Sequence, residues 1–328
     1  MHFDVFNGDA DGIIALLQLR LAYPRKSILI TGVKRDIELL AKVDVDKAST
    51  VTVLDISLEK NKQALDDLLN AGVEVFYVDH HRTGDIPQST KLTSILDTNA
   101  NICTSLLVND YLNGRYTHWA IAAAFGDNMH ASATELANAE GLSERQQSQL
   151  NELGTYINYN GYGQEIRDLH FKPADLFKSL LAFPDPFQLI NQKDSLFSQL
   201  KKAYLTDMAK AEQSPVLSDC ATVKTVVLEN APWSRRVSGV FGNALANTSP
   251  NKAHIVVTSL KNTEPSLKDN HNKHYTVSLR APLNNKQGAG DLCAMFATGG
   301  GRAAAAGIND LPHESLNKFI DIVANYYQ

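Results

Sequence analysis

No apolar run in this 328-residue chain is long enough to cross a bilayer: the longest, residues 119–126, falls far short of the roughly 20 residues a spanning helix needs. The first residues, Met1-His2-Phe3-Asp4, put acid where an export signal carries base ahead of an apolar core, so no signal peptide is expected. Cysteine is scarce. Cys103, Cys220 and Cys293 lie far apart with no CxxC pair, which argues against a disulfide framework and a thiolate zinc site and points to the reducing cytoplasm. With 11 Pro, 19 Gly and 44% hydrophobic residues, the composition is that of a globular protein and not of a disordered chain. An excess of base is also missing. The net charge of −5 argues against a protein that coats long nucleic acid, which needs many Lys and Arg for the phosphates. The charge is uneven: residues 1–215 hold 20 Lys and Arg against 28 Asp and Glu, and residues 216–328 hold 11 against 8. An acidic front half suits cations, and a mildly basic back half suits an anion.

What is present is alternation. Residues 3–7, 27–31, 51–55 and 73–78 read as strands, and the apolar spacing over 13–23 and 58–69 predicts helices between them. Such alternation implies a parallel sheet with helices on both faces. A strand over 94–96 and helices over 103–111 and 118–125 follow. Residues 140–215 read as mostly helical, broken by a loop at Tyr159-Asn160-Gly161-Tyr162-Gly163 and a turn at Pro184-Asp185-Pro186. Strands return over 222–228, 254–260 and 275–279, with helices over 239–246, 292–296 and 315–326. The expected class is α/β: an N-terminal domain over 1–190 with a mostly parallel sheet and flanking helices, a helical connector over 191–215, and a smaller mixed α/β domain over 216–328.

The chemistry gathers where the front strands end. The first runs into Asn7-Gly8-Asp9-Ala10-Asp11-Gly12, another ends at Asp55, and a third at Asp79-His80-His81. In a parallel sheet these are carboxyl ends, where open α/β sheets bind ligands. Asp127 follows the apolar stretch 120–125 and is a fourth candidate. Each has a plainer role: Asp11 and Asp55 as caps of the following helices, and Asp79-His80-His81 as a solvated turn. Their coincidence at strand ends favours a metal site, because gathered carboxylates repel one another unless a cation neutralises them. Carboxylate oxygens with imidazole and no thiolate suit Mn²⁺ best, then Mg²⁺ or Fe²⁺. Asp9 and Asp11, two apart on an extended segment, can each serve a different ion, and two ions ~3.5–4 Å apart make a phosphoryl-transfer site. In the back half, Gly299-Gly300-Gly301-Arg302 precedes an alanine run that reads as a helix. Its glycines would aim N–H groups at an anion, with Arg302 at the helix start and Arg280 as a second cation. A flexible loop is the plainer reading.

Asp9-Ala10-Asp11-Gly12, Asp55, Asp79-His80-His81 and Asp127 resemble, in type and spacing, the four motifs of the DHH phosphoesterase superfamily. Val277-Ser278-Leu279-Arg280 with Gly299-Gly300-Gly301-Arg302-Ala303-Ala304-Ala305-Ala306-Gly307 resembles its associated substrate domain. These motifs span residues 7–307, and the chain looks like the compact stand-alone members that cleave very short oligonucleotides or linear dinucleotides. The resemblance implies that Asp9, Asp11, Asp55, His80 and Asp127 bind two Mn²⁺ ions, with Asp55 between them and Mg²⁺ as a possible substitute. It implies that His81 faces the scissile phosphate, that Asp79 orients a neighbouring histidine, and that Arg280, Gly299, Gly300, Gly301 and Arg302 hold the terminal phosphate or nucleotide.

Two positions depart from the family. Val5 and Asn7 stand where many relatives carry an extra His or Asp, leaving one metal a thinner shell for the Asn7 oxygen or water to complete. Arg302 stands where the family usually has His, and its fixed charge can grip phosphate bidentately. The expectation is a cytoplasmic Mn²⁺-dependent phosphodiesterase that releases mononucleotides from short 5′-phosphorylated oligonucleotides or dinucleotides such as pGpG, by in-line attack of a hydroxide held between the metals. Tyr159, Tyr162 or Trp233 would stack a base. No long nucleic acid and no membrane are expected as partners, and a homodimer is possible. The rival readings are a pAp-type phosphatase, an inorganic pyrophosphatase and a catalytically silent nucleotide sensor.

Overall fold

A computed structural model describes residues 1–99, 101–259 and 274–328. The chain divides into two compact units, Met1–Ala203 and Tyr204–Gln328. In the first, strands β1 (His2–Phe6), β2 (Ile28–Ile30), β3 (Thr50–Leu54), β4 (Glu74–Asp79) and β5 (Leu92–Leu96) form one sheet in the order β2-β1-β3-β4-β5. Every pairing is parallel. The chain leaves β1 for β2 on one side and returns to β3 on the other, so the strand order reverses between β1 and β3. Ligands of open α/β sheets bind at the carboxyl end of such a switch point.

Alternate residues of each strand face opposite ways. Phe3, Val5, Val51, Val53, Val75 and Tyr77 share one core with Leu65 and Leu68 of the crossover helix that precedes β4, Leu58–Asn70. The opposite face carries α1 (Ala10–Ala22), buried from Ala10 through Arg20. With α2 named for Leu58–Asn70, the helices α3 (Thr104–Tyr111), α4 (Thr117–Gly126), α5 (His130–Ala139), α6 (Glu144–Gly161) and α7 (Pro173–Leu180) follow, and α3, α4, α6 and α7 all touch α1. This second helical layer is why α1 is apolar all round instead of striped. Two of the long polar side chains it buries find partners. Gln18 donates to the Ser105 carbonyl at 3.0 Å, and Arg20 Nε donates to Asp4 Oδ2 at 2.9 Å beneath the sheet. His2 Nε2 lies 3.0 Å from the other Asp4 oxygen.

The stretch 159–163 is not a loop throughout. Helix α6 continues to Gly161, and Tyr159 is buried with its hydroxyl 2.9 Å from His170 Nε2, so it has no free face for a base. Helices α8 (Pro186–Asn191) and α9 (Leu196–Glu212) complete the helical stretch, and the division between the units falls inside α9. No helix among the described residues is long and apolar enough to cross a membrane.

The second unit holds a mixed sheet. Strands β6 (Val216–Asp219), β7 (Val223–Leu228), β8 (Ala253–Ser259), β9 (His274–Arg280), β10 (Gly299–Gly301) and β11 (Ala305–Pro312) lie in the order β10-β11-β9-β8-β7-β6. Residue 260, in the strand expected over 254–260, lies outside the described residues. Among the described residues of this sheet only β7 and β8 pair in parallel, joined by α10 (Pro232–Thr248), a longer helix than the 239–246 expected. Trp233 is buried in its first turn with the indole N–H on Glu229, which removes it as a stacking surface. Helices α11 (Ala289–Ala294) and α12 (His313–Tyr326) cover one side of the sheet: Cys293 and Phe319 share a core with Ile255, Val277 and Ile308.

The alanine run after Gly301 does not form a helix. Ala305 and Ala306 begin β11, antiparallel to both β9 and β10. Four alanines followed by Gly307 are too short a segment to nucleate a helix, whereas Ala306, Ile308 and Leu311 are core residues only if the segment is extended. The glycines serve this hairpin. A Cβ on Gly299 would stand 1.8 Å from the Cys293 carbonyl oxygen, and Gly301 has φ +145° with Ala306 Cα only 2.5 Å from where its Cβ would be. Arg302 is exposed in the turn and so does not start a helix.

Candidate metal centre

Adjacent strands β1, β3 and β4 deliver their carboxyl ends to one place. Asp9 is the N-cap of α1, its Oδ1 accepting the Gly12 N–H at 3.1 Å, so the cap is Asp9 and not Asp11. Asp11, one step into the helix, accepts the N–H of Thr104 (2.8 Å) and of Ser105 (2.7 Å) at the start of α3. This fixes the Asp11 carboxylate with backbone donors. Asp55 follows β3 with φ +59°, a left-handed conformation uncommon outside glycine, and it does not cap α2, whose N-cap is Ser57. Backbone strain of this kind persists where the surrounding structure imposes it. Asp127, the C-cap of α4, comes from the helical layer and not from a strand.

His80 joins three of these carboxylates. Its Nδ1 lies 2.9 Å from the Ile102 carbonyl, which can only accept, so Nδ1 carries a proton and the neutral ring presents its lone pair at Nε2. That Nε2 stands 3.5 Å from Asp55, 3.8 Å from Asp127 and 3.9 Å from Asp11. A lone pair among three carboxylates is repulsive without a cation between them, and Asp11, His80 and Asp127 form one group of atoms close enough to share an ion. Asp55, His80 and His81 form another. His81 Nδ1, however, is 2.7 Å from Asp79 Oδ1, so its proton is given to Asp79 and the ring is held by a buried carboxylate. The His81 side chain remains 40% exposed. Among the candidates, Asp11, Asp55, His80 and Asp127 fit a hard or borderline divalent cation such as Mn²⁺.

The charges show the same need. Burial, reinforced by the charges of Asp11, Asp9, Asp127 and Asp79, pushes the Asp55 carboxyl well above its usual range. Burial likewise lifts Asp127, with Lys34 opposing. For His81, burial acts to lower the imidazole, but the hydrogen bond and charge of Asp79 raise it above its ordinary value.

Lys34, which the sequence reading passed over, enters this site from the loop after β2. Its Nζ lies 2.5 Å from Asp9 Oδ2, 3.4 Å from Asp127 Oδ1 and 3.2 Å from Asn158 Oδ1. Burial favours the neutral amine, but the charges of Asp9, Tyr162 and Asp127 outweigh it and hold Lys34 charged. Asp9 is correspondingly lowered: burial raises it, and the Lys34 charge and hydrogen bond more than compensate. Asn7 donates to the Lys34 carbonyl at 3.2 Å, while its Oδ1 is buried with no hydrogen-bond partner among the described residues. The signal for Lys34 was its position: β2 is parallel to β1, so its carboxyl end also faces the site.

The spacing of the carboxylates rests on close backbone contact. A Cβ on Gly154 of α6 would lie 1.8 Å from the Ala122 carbonyl oxygen of α4, and one on Gly126 would lie 2.7 Å from Ala10 Cβ of α1. Gly126 directly precedes Asp127, and Ala10 stands between Asp9 and Asp11.

In the second unit, Arg280 is held against α10. Its Nε donates to Asn243 Oδ1 at 2.5 Å, Nη2 to the Gly239 carbonyl at 3.1 Å, and Nη1 to Ser278 Oγ at 3.0 Å. Gly299, Gly300 and Gly301 form the edge strand β10, and a Cβ on Gly300 would meet only open space.

No protein-family model matches the chain, and no curated protein matches it by sequence. Solved structures do. The DHH domain of a member of a ribosomal-protein family aligns over 99% of this chain and 86% of its own, with TM-score 0.65 and 13% identity. The exonuclease RecJ bound to manganese aligns over 99% and 90%, with TM-score 0.60 and 16% identity. PggH of Vibrio cholerae, a pGpG-specific phosphodiesterase, aligns over 99% and 98%, with TM-score 0.56 and 12% identity. At these identities the likeness is one of architecture, and it extends over both units: this chain has the DHH fold.

Proposed function

We propose that the protein is a Mn²⁺-dependent phosphodiesterase that hydrolyses short 5′-phosphorylated oligonucleotides or linear dinucleotides such as pGpG to mononucleotides. The observation that carries this reading is the His80 Nε2 lone pair facing Asp11, Asp55 and Asp127 within 3.9 Å at the switch point of a parallel sheet. The RecJ structure with manganese and the pGpG-specific phosphodiesterase support it as relatives in fold.

When bound, the divalent cation supplies charge neutralisation at phosphorus and lowers the pKa of water at the site. The remaining roles belong to the chain. Asp79 holds the His81 ring with one proton on Nδ1, leaving Nε2 to face the substrate phosphate. With its basicity raised by Asp79, His81 is protonated more readily and can donate a hydrogen bond to a phosphoryl oxygen as charge builds there. We assign the substrate's terminal phosphate to the second unit, where exposed Arg302 offers a guanidinium and Gly299, Gly300 and Gly301 an edge without side chains.

The test is a panel of pGpG, pApA, longer RNA, pAp and pyrophosphate incubated with the protein and Mn²⁺. Preferential release of mononucleotides from the dinucleotides supports the reading. Preference for RNA longer than about five nucleotides, for pAp or for pyrophosphate refutes the assigned substrate.

A further inference from the structure

Asp9 differs from the other metal candidates in having one carboxylate oxygen held by an ammonium at 2.5 Å while the other caps a helix. Oδ1 takes the Gly12 N–H at 3.1 Å, and Oδ2 takes the Lys34 ammonium at 2.5 Å. Nor is Lys34 a loose surface lysine. Its ammonium also contacts Asp127 at 3.4 Å and Asn158 at 3.2 Å, and lies 5.5 Å from the centre of the Tyr162 ring, a cation–π contact. Its backbone is pinned as well, the N–H to the Gly161 carbonyl at 2.9 Å and the carbonyl to the Asn7 amide at 3.2 Å. Upstream, Val5 is buried and apolar, so positions 5 and 7 add no charge for an ion bound on Asp9, only the neutral Asn7 Oδ1.

On the reading that this centre binds a divalent cation, we propose that the Lys34 ammonium stands in place of a second one. The protein then takes a single divalent ion, held by Asp11, Asp55, His80 and Asp127, and not the pair that the sequence resemblance implies. Four carboxylates with one dication and one ammonium leave a single net negative charge, whereas a second dication would leave a net positive one. A second dication on Asp9 would have to share its carboxylate with a cation already in contact with it, and like charges at that distance repel strongly. Lys34 is thereby a positioning residue for the metal centre: it sets the ion count and fixes Asp9 and Asp127 relative to each other.

The experiment measures Mn²⁺ stoichiometry by isothermal titration and metal analysis, and the electron paramagnetic resonance spectrum at saturating Mn²⁺. The expected result is one ion per chain with the resolved hyperfine pattern of an isolated ion. Lys34→Ala frees Asp9 and raises the count to two, with the exchange-coupled spectrum of a carboxylate-bridged pair. Lys34→Arg keeps the charge and stays at one. Two coupled ions in the unsubstituted protein overturn the proposal. So does a Lys34→Ala protein of native circular dichroism that still takes one. Absence of any Mn²⁺ binding overturns the metal reading itself, a result distinct from either.

Discussion

Replacing Asp55 with Asn isolates the electrostatic strain of the centre, because it removes one charge and leaves the backbone as it was. Asp55 sits at φ +59°, a conformation that Asn tolerates as well as any residue except glycine. In metal-free protein, burial and then the surrounding carboxylates lift the Asp55 carboxyl well above its unfolded value. A group with a raised folded pKa contributes stability that is fully present below the unfolded pKa and is lost as pH rises through the folded one. Metal-free protein therefore loses stability between the ordinary carboxylate range and Asp55's raised pKa, and Asp55→Asn does not lose this share. Mn²⁺ acts in the opposite sense. An ion present at a hundredfold excess over its dissociation constant adds ~2.7 kcal/mol. For a unit the size of Met1–Ala203, each kcal/mol moves Tm by ~2–4 °C, so saturating Mn²⁺ raises Tm by ~5–10 °C. In Asp55→Asn the same Mn²⁺ raises it by less than ~2 °C, because a ligand oxygen with formal charge has been lost. Differential scanning calorimetry at pH 8, with chelator and then with Mn²⁺, reads both effects. A metal-free Asp55→Asn protein that melts below the unsubstituted one, or an undiminished Mn²⁺ response, would refute the reasoning.

Three further outcomes are expected. Burial raises Asp4, but hydrogen bonds from Arg20 and His2 bring its carboxyl down to about 2. Its ~2 kcal/mol is fully present above about pH 4 and is lost as pH falls through about 2, while Asp4→Ala costs ~3–5 kcal/mol at pH 7 by stranding Arg20; urea unfolding at pH 7 and pH 3 checks both. His254 is buried on β8 with neither ring nitrogen hydrogen-bonded among the described residues, and burial, then Lys224 and Lys252, lower it to about 4. Being depressed, it makes the second unit lose ~3 kcal/mol as pH falls from about 6.5 toward 4, and His254→Leu flattens that dependence in a pH series of unfolding curves. Gly301→Ala, at φ +145° and against Ala306, costs ~1–3 kcal/mol, whereas Gly300→Ala, facing open space, leaves Tm within about 1 °C in the same melting assay.

The strand ends were legible because a carboxylate directly after a β-branched run has one place to go in a parallel sheet, and Asp9, Asp11, Asp55 and His80 converge there. Lys34 was not, because a lysine in a turn carries no periodicity; only the strand order, which puts β2 beside β1, brings it to Asp9. The alanine run after Gly301 misled for the opposite reason. Its local propensity is helical, but pairing with β9 and β10 buries Ala306 and Ile308, and tertiary packing outweighs propensity over so short a segment. Likewise Tyr159-Asn160-Gly161 has the composition of a turn, yet Asn160 bonds the Phe171 backbone twice, at 2.8 and 3.0 Å, and α6 continues through it.

The helix crossing at Gly126 and Gly154 has a consequence for how the centre tolerates change. With no room for a methyl group at either position, the end of α4 is keyed to the start of α1 and to the middle of α6. Asp127 thus inherits its distance from Asp9 and Asp11 from main chain laid against main chain, a coupling stiffer than any rotamer. Gly154→Ala, 27 positions from Asp127 and bearing no chemistry of its own, would therefore weaken ion affinity as a ligand substitution does. In such an architecture, damage to the metal cage can enter from behind it.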